Sequence, residues 1–221
     1  MSVLGVAEAA AELGVSERRV RQMLGDGQLR GQHVGRAWII ERHALEEVRE
    51  NRPEVGRPWH AQKAWAFLLL AEGRDVALSA VDRSRVSRRV EAGVEQNLGR
   101  LRARAQKHSF YAHPSVLEQL IRHPDIVRSG ISAIDEYSID LIAQQVVEGY
   151  IRQSDVGGLI EQVALDESSD RPNVILRVVR DDAWPFDAHQ AVAPKVVVAV
   201  DLLDANDERS QRAGRALLAK L

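Results

Sequence analysis

Cysteine is absent from this 221-residue chain. Its absence removes disulfides, thiolate nucleophiles and Cys-ligated zinc, and suits a reducing compartment. No apolar run approaches the length that spans a bilayer, and no basic segment followed by an apolar core and cleavage site opens the chain, so a cytoplasmic protein is expected. An excess of one charge is also missing. The formal net charge of −2 argues against a generic nucleic-acid coat protein and favours a sequence-reading module joined to something else. Lysine is scarce: among 30 cationic residues only Lys63, Lys107, Lys195 and Lys220 are lysines. That arginine-rich, alanine-rich usage fits a bacterium of high genomic GC content. Hydrophobic residues make up 45% of the chain, enough for one large or two to three small domains with real cores.

Motifs of common chemistries are missing as well. There is no Walker loop, no GxGxxG after a strand and no GxSxG elbow. Nucleotidyl transfer would need a Gly-Ser turn followed by paired carboxylates, and the nearest pair, Ser129-Gly130, is reversed. His108 and His113 lie five apart, while His33, His43, His60, His123 and His189 are scattered without metal-ligand spacing. Asp201, Asp204 and Asp207 share a helical spacing that could catch a divalent cation, but capping and solvation account for them. Neither an enzyme nor a cofactor or metal site is expected.

What is present is concentrated in residues 6–48. A short apolar helix (Val6, Ala9, Ala10, Leu13) meets a turn at Gly14-Val15, and a second helix is opened by Ser16. Gly14 can take the left-handed conformation that ends a helix, and Ser16 can cap the next. Val20, Met23 and Leu24 form the buried stripe of that second helix. At about 100° per residue, Arg18 and Gln22 point most directly away, flanked by Arg19 and Arg21. Arginine suits guanine edges and glutamine suits adenine edges in the major groove, while flanking cations neutralise phosphates. Gly25-Asp26-Gly27 ends the helix. Two strands over Leu29 to Ile40 then turn at Gly35-Arg36, a wing carrying Arg30, Gln32, His33 and Arg36 toward the backbone or minor groove. Ala44, Leu45 and Val48 predict a third helix against the wing. Glu8, Glu12, Glu17, Asp26 and the acidic residues from Glu41 to Glu50 offset the arginines, so binding should rest on a local, salt-sensitive patch.

The stretch GVAEAAAELGVSERRVRQMLGDGQLRGQHVGRAWIIERHALEEV resembles the excisionase-type helix-turn-helix, a relative of the MerR winged-helix proteins. Its GVS turn, GxL and VGR-W-I wing carry the likeness. The resemblance implies double-stranded DNA as a partner.

Asn51 to Pro58 (NRPEVGRP) reads as a linker, because both prolines disfavour helix just before them. Trp59 to Glu72 is apolar on most sides and predicts a buried helix ended by Gly73. Ser79 to Ala92 predicts a helix carrying Arg83, Arg85, Arg88 and Arg89, with Arg100, Arg102, Arg104 and Lys107 beyond it. A second nucleic-acid surface on Arg83, Arg85, Arg88, Arg89, Arg102 and Arg104 is one reading, with the strand Ser109 to Ala112 completing another winged-helix-like unit. A solvated helix, or a basic face for an acidic protein partner, is the other.

Helix is expected after His113-Pro114 through Ile121, strand over Val146 to Ile151, helix over Val156 to Leu165 and strand over Asn173 to Val179. Gly157-Gly158 weakens the helix there. Trp184, Pro185 and Phe186 form an apolar knot suited to packing. Ala193 to Leu203 is a buried element whose type periodicity leaves open. Asp207 can cap a last helix, Glu208 to Leu221, burying Ala213, Ala216, Leu217 and Leu221. The fold class is α+β: a winged helix-turn-helix at 1–50, the linker 51–58, a basic helical part at 59–130 and an α+β part at 131–221.

The stretches AWAFLLLAEG, SRVSRRVEAG, LRARAQKHSFYAHPSVLEQLI, PNVILRVV and VAPKVVVAVDLLDANDERSQRAGRALLAKL resemble the AbiEi-type antitoxins found beside AbiEii-type nucleotidyltransferase toxins. Asp201, Leu202, Arg209, Ala213 and Leu217 fill the positions of that family's ending. The resemblance implies a front that represses its own promoter and a rear that antagonises the toxin, with direct contact left open. A ligand-sensing regulator unrelated to a toxin, and an enzyme fused to a DNA reader, are the rivals.

Overall fold

The computed structural model describes residues 3–25, 29–35, 37–42, 44, 45, 48, 58–141, 145–167, 169, 171–205 and 207–221. It divides into two compact units, Met1–Glu54 and Val55–Leu221. Together they form an α+β protein with a helix-turn-helix at its start.

The first unit holds β1 (Val3–Leu4), α1 (Val6–Leu13), α2 (Glu17–Gly25), β2 (Gln32–Val34) and β3 (Ala37–Glu41). The expected β2–β3 hairpin is present, but it is part of a three-stranded sheet in the order β1-β3-β2. β1 has only two residues, too short for a period-2 pattern, so nothing in its sequence announces it. Leu4, Ala9, Ala10, Leu13, Val20, Leu24, Leu29, Ile40, Ala44 and Leu45 are buried together as this unit's core.

The second unit is a four-stranded sheet in the order β4-β7-β6-β5 with helices on both faces. Its strands are β4 (Gln106–Phe110), β5 (Val127–Arg128), β6 (Val147–Arg152) and β7 (Val174–Val179). β6 and β7 are parallel neighbours joined through α7 (Gln153–Val163), as a βαβ connection requires, while β4 and β5 pair antiparallel at the edges. The other helices are α3 (Ala61–Ala71), α4 (Ala80–Glu91), α5 (Leu98–Leu101), α6 (Pro114–Ile121), α8 (Lys195–Leu203) and α9 (Glu208–Leu218).

Alternation along the central strands feeds two cores. Val147, Ile151, Val174 and Leu176 pack with Phe110, Leu117, Leu120 and Leu159. Tyr150 and Val179 pack with Trp65, Phe67, Phe186 and the valines of α8. The expected Trp184–Phe186 knot is a packing feature, since Phe186 meets the rings of Trp65, Tyr150 and Trp184.

The run whose type periodicity left open is a helix, α8. It is buried on nearly every side, so its β-branched valines are accommodated by packing despite their modest helix propensity. The carboxylate of Glu72 accepts from the backbone N–H of Lys195 at 2.8 Å, capping α8 from a distant part of the chain. Behind it, Gly214 of α9 leaves no room for a Cβ, which would lie 2.7 Å from the carbonyl oxygen of Ala199. Asp207 caps α9 as expected, through a 2.8 Å bond from the N–H of Ser210. Leu217 is buried and Ala213 half-buried, but Ala216 and Leu221 are exposed, because α9 ends at Leu218 and its inner stripe runs instead through Ser210 and Gly214.

Asp201 overturns its expected role. It is fully buried in α8, at the centre of an ion-pair cluster. Its carboxylate accepts from Arg104 at 2.5 Å, from Arg177 at 3.1 Å, from the Tyr150 hydroxyl at 2.8 Å and from the Ser129 hydroxyl. Arg104 also reaches Asp204 and the Leu101 carbonyl, and Arg177 also pairs with Glu148. Burial alone would push the Asp201 pKa up, but the guanidiniums of Arg177 and Arg104 outweigh it and hold the pKa below the ordinary aspartate value.

Removing one partner from such a cluster strands opposite charge out of water. Asp201→Ala should therefore lower the unfolding free energy by about 3–5 kcal/mol in urea titration, whereas Asp204→Ala, at the solvent-accessible rim, should cost less than about 1 kcal/mol. A depressed folded pKa makes Asp201's contribution complete above the ordinary value of 3.8, and it is lost as pH falls through the lower folded value. The urea midpoint of the native chain should fall on that acid limb, and Asp201→Asn should flatten the fall.

Candidate nucleic-acid interface

The turn between α1 and α2 is built as its residues dictate. Gly14 ends α1 at φ 61° and ψ 39°, a left-handed conformation that a side chain would strain. The N–H of Val15 closes the turn onto the Ala10 carbonyl at 3.0 Å. Ser16 opens α2, its hydroxyl accepting from the N–H of Arg19 at 3.3 Å.

Helix α2 buries Val20 and Leu24 against α1 and half-buries Met23. Its opposite side leaves Arg18, Arg19, Arg21 and Gln22 exposed, together with the cap Ser16. The expected division of this helix is thus the one observed. Arg19 donates to the side-chain oxygen of Gln22 at 3.0 Å, which restrains the amide, while the Gln22 NH₂ group remains able to donate outward. Arg21 pairs with Glu17 at 2.7 Å, one helical turn back. Both members are about half exposed, so the pair is worth about 0–1 kcal/mol and a phosphate can replace the carboxylate. Arg18 has no side-chain partner among the described residues.

The wing follows on β2 and β3. His33 opposes Trp38 in the register, and its ring meets the indole edge-on at 4.9 Å. Gly35 turns the hairpin at φ 61°. Arg30, Gln32 and His33 are exposed, with His33 held by Trp38 and Arg30 lying at the entry to the hairpin. Arg36 and His43 lie outside the described residues, as do Asp26 and Gly27. Ala44 and Leu45 are buried and Val48 half-buried, all with helical backbone, where a third helix was expected.

One contributor carried no recognisable signal. A Cβ at Gly31 would lie 2.6 Å from Leu24 Cδ2 and 3.2 Å from the Ile39 carbonyl oxygen, so a side chain just before β2 would require Leu24 to shift. Glycine there leaves Leu24 of α2 undisturbed at the entry to the wing.

Of the residues that one reading assigned to a second basic surface, only part is available. Arg104 is buried on Asp201, because a tight 3₁₀ turn over Arg102–Arg104 after α5 aims it inward at the only cluster of buried carboxylates among the described residues. Arg83 is held by Asp75 and the Val76 carbonyl, and Arg102 is half-buried. Arg85, Arg88 and Arg89 on α4 remain exposed. The reading of a second winged-helix-like unit finds no wing among the described residues: β4 pairs with β7 at the edge of the large sheet, not with a hairpin partner.

A family profile described as a helix-turn-helix domain matches residues 3–53. No curated protein and no solved structure matches the chain. No described helix is long and apolar enough to cross a membrane. The first unit is a helix-turn-helix domain, the kind that DNA-binding regulators carry.

Proposed function

We propose that the protein is a non-enzymatic bacterial antitoxin and transcriptional autorepressor. Its first unit binds its own promoter, and its second unit counteracts a nucleotidyltransferase toxin of the AbiEii type. The observation that carries the DNA-binding part is the exposed face of α2, where three arginines and a glutamine stand on a helix whose other face is locked into the core. Arg18 and Gln22 are the base readers in this reading. Arg19 and Arg21 contact phosphates, and Arg30, His33 and Arg36 belong to the wing. The cytoplasm is the compartment this activity requires.

The antitoxin part is supported by the resemblance of the second unit to AbiEi-type proteins. Within the shared ending, Asp201, Leu202 and Leu217 are buried and keep the fold, so a role outside the fold falls to exposed residues such as Arg209. A second reading, a regulator that senses a small molecule, has one observation in its favour. A groove of about 540 Å³ opens between β4 and α7, with Phe110, Val156, Ile160 and Val178 below and the His108–Glu167 pair at its rim.

Arg18→Ala should lower affinity for the native promoter by about 1 to 3 kcal/mol and relax its preference over random duplex in a mobility-shift titration. Arg21→Ala should weaken both duplexes alike and shallow the salt dependence by about one ion. An operator footprint unchanged by Arg18→Ala would remove that residue from the base readers. Expression of the adjacent gene should arrest growth, and co-expression of this chain should relieve the arrest, with or without Arg18→Ala. Persistence of the arrest, or a metabolite that shifts promoter affinity, would favour the sensing regulator.

A further inference from the structure

A second open groove, of about 620 Å³, runs along α9. One wall is the segment Ser138–Leu141. The other is a single stripe of α9 and the residues just beyond it, in which Arg209, Arg212, Ala213, Ala216, Leu217 and Lys220 recur at i, i+3, i+4, i+7, i+8 and i+11. That stripe is the pattern by which one helix receives another. The inner stripe of α9, with Ser210 and Gly214, is already spent on α8.

The groove has an apolar floor and a cationic rim. Ile139, Leu141 and Ala213 are half-buried and continuous with the core beneath, and Leu217 is buried. Arg209, Arg212 and Lys220 are exposed, against one exposed carboxylate, Asp140. Arg212 and Lys220 have no ion pair among the described residues, and Arg209 lies near the capping Asp207. The Ser138–Leu141 wall is fixed in place. Ser138 sits at a left-handed φ of 50°, the N–H of Ile139 bonds the Ile134 carbonyl at 3.0 Å, and the Tyr137 hydroxyl donates to the Ala193 carbonyl at 2.7 Å. Strained backbone held by surrounding bonds is a feature of built sites.

From these features we infer that the groove docks an acidic amphipathic helix of a partner protein. From Arg209 to Lys220 the rim extends about 16 Å at 1.5 Å per residue. One small anion cannot reach all three cations. A nucleic-acid backbone would gain nothing from an aliphatic floor. A helix with a leucine stripe flanked by glutamates fits both, burying its stripe on Ile139, Leu141, Ala213 and Ala216 while its carboxylates meet the rim. The inference goes beyond the regulator and antitoxin reading and stands whether or not the partner is a toxin.

The test uses the full chain and labelled probes in fluorescence anisotropy: a short helical peptide with a leucine stripe and glutamate flanks, its lysine-flanked counterpart, and a random DNA duplex. The glutamate peptide should bind, with affinity falling as salt rises. Arg209→Glu with Arg212→Glu should weaken that binding about tenfold or more and should favour the lysine peptide, while promoter binding and the thermal midpoint stay unchanged. Failure of the glutamate peptide to bind would overturn the inference, as would equal binding of both peptides. So would duplex binding that depends on Arg209 and Arg212, or a dimer of the chain that the double variant abolishes without any peptide binding.

Discussion

A single buried carboxylate ties the second unit together. Asp201 on α8 faces Tyr150 on β6, Arg177 on β7, Arg104 after α5 and Ser129 after β5, so five separate parts of the chain converge on one group. Two carboxylates, Asp201 and Glu148, balance two guanidiniums, Arg104 and Arg177, in a region where none of them reaches water freely. Such a cluster adds little net stability over a well-packed apolar core, because desolvation consumes most of the Coulomb attraction. What it does supply is selectivity among arrangements: a sheet register or helix position that leaves one member unpaired carries the full cost of a buried charge. The short backbone approaches around it obey the same constraint. Gly130 stands where a Cβ would collide with the Glu148 carboxylate, whose other oxygen holds Arg177, and the N–H of Ile131 donates to that carboxylate at 3.1 Å.

Arginine therefore plays three distinct parts in a chain that has few lysines. In the core, its planar fork bridges several acceptors at once: Arg104 reaches a phenol, a backbone carbonyl and two carboxylates. On α4 and on the outer side of α9 it is solvated or joined in weak surface pairs such as Arg215 with Glu95. On α2 it is exposed and positioned by a packed helix. Only the last of these parts was plain from spacing, because helical periodicity separates buried from exposed sides but does not say which surface arginine turns inward after a helix ends. Arg104 and Arg85 look alike along the sequence. One is buried because a tight turn follows α5, and the other is not because it sits on the outer side of α4.

The helix-turn-helix was legible for a related reason. Its determinants are local: a left-handed glycine, a capping serine and an apolar stripe lie within about three helical turns of one another, and each acts through contacts a few residues apart. The second unit was legible in its elements, with β6, α7, β7 and the Asp207 cap near their expected places, but not in their assembly. Pairing of β4 with β7 joins residues some seventy positions apart. The helical state of α8 depends on burial from all sides, which a uniformly apolar run announces without specifying strand or helix. Asp201 was misread because its helical spacing with Asp204 and Asp207 grouped it with aspartates that cap or face solvent, although it lies in an apolar run, and the two guanidiniums that neutralise it come from positions 104 and 177.

The modest net charge of the chain has a mechanistic consequence. At physiological ionic strength, fields decay over about 8 Å, so a distant duplex senses little of a protein whose total charge is −2. In the proposed reading, affinity arises when α2 is already close to the groove, where Arg18 is unencumbered and Arg21 can exchange its Glu17 carboxylate for a phosphate. That exchange is nearly neutral in energy, since the Glu17 pair is weak, but it removes a competing negative charge from the contact only if Glu17 turns away. Because Glu17 lies in the first turn of α2, the positive end of the helix dipole continues to favour it after Arg21 leaves. Under the proposed function, the helix can thus release its arginine to DNA without stranding the glutamate, with Arg18 and Gln22 as the proposed base readers and the surrounding cations as the proposed phosphate contacts.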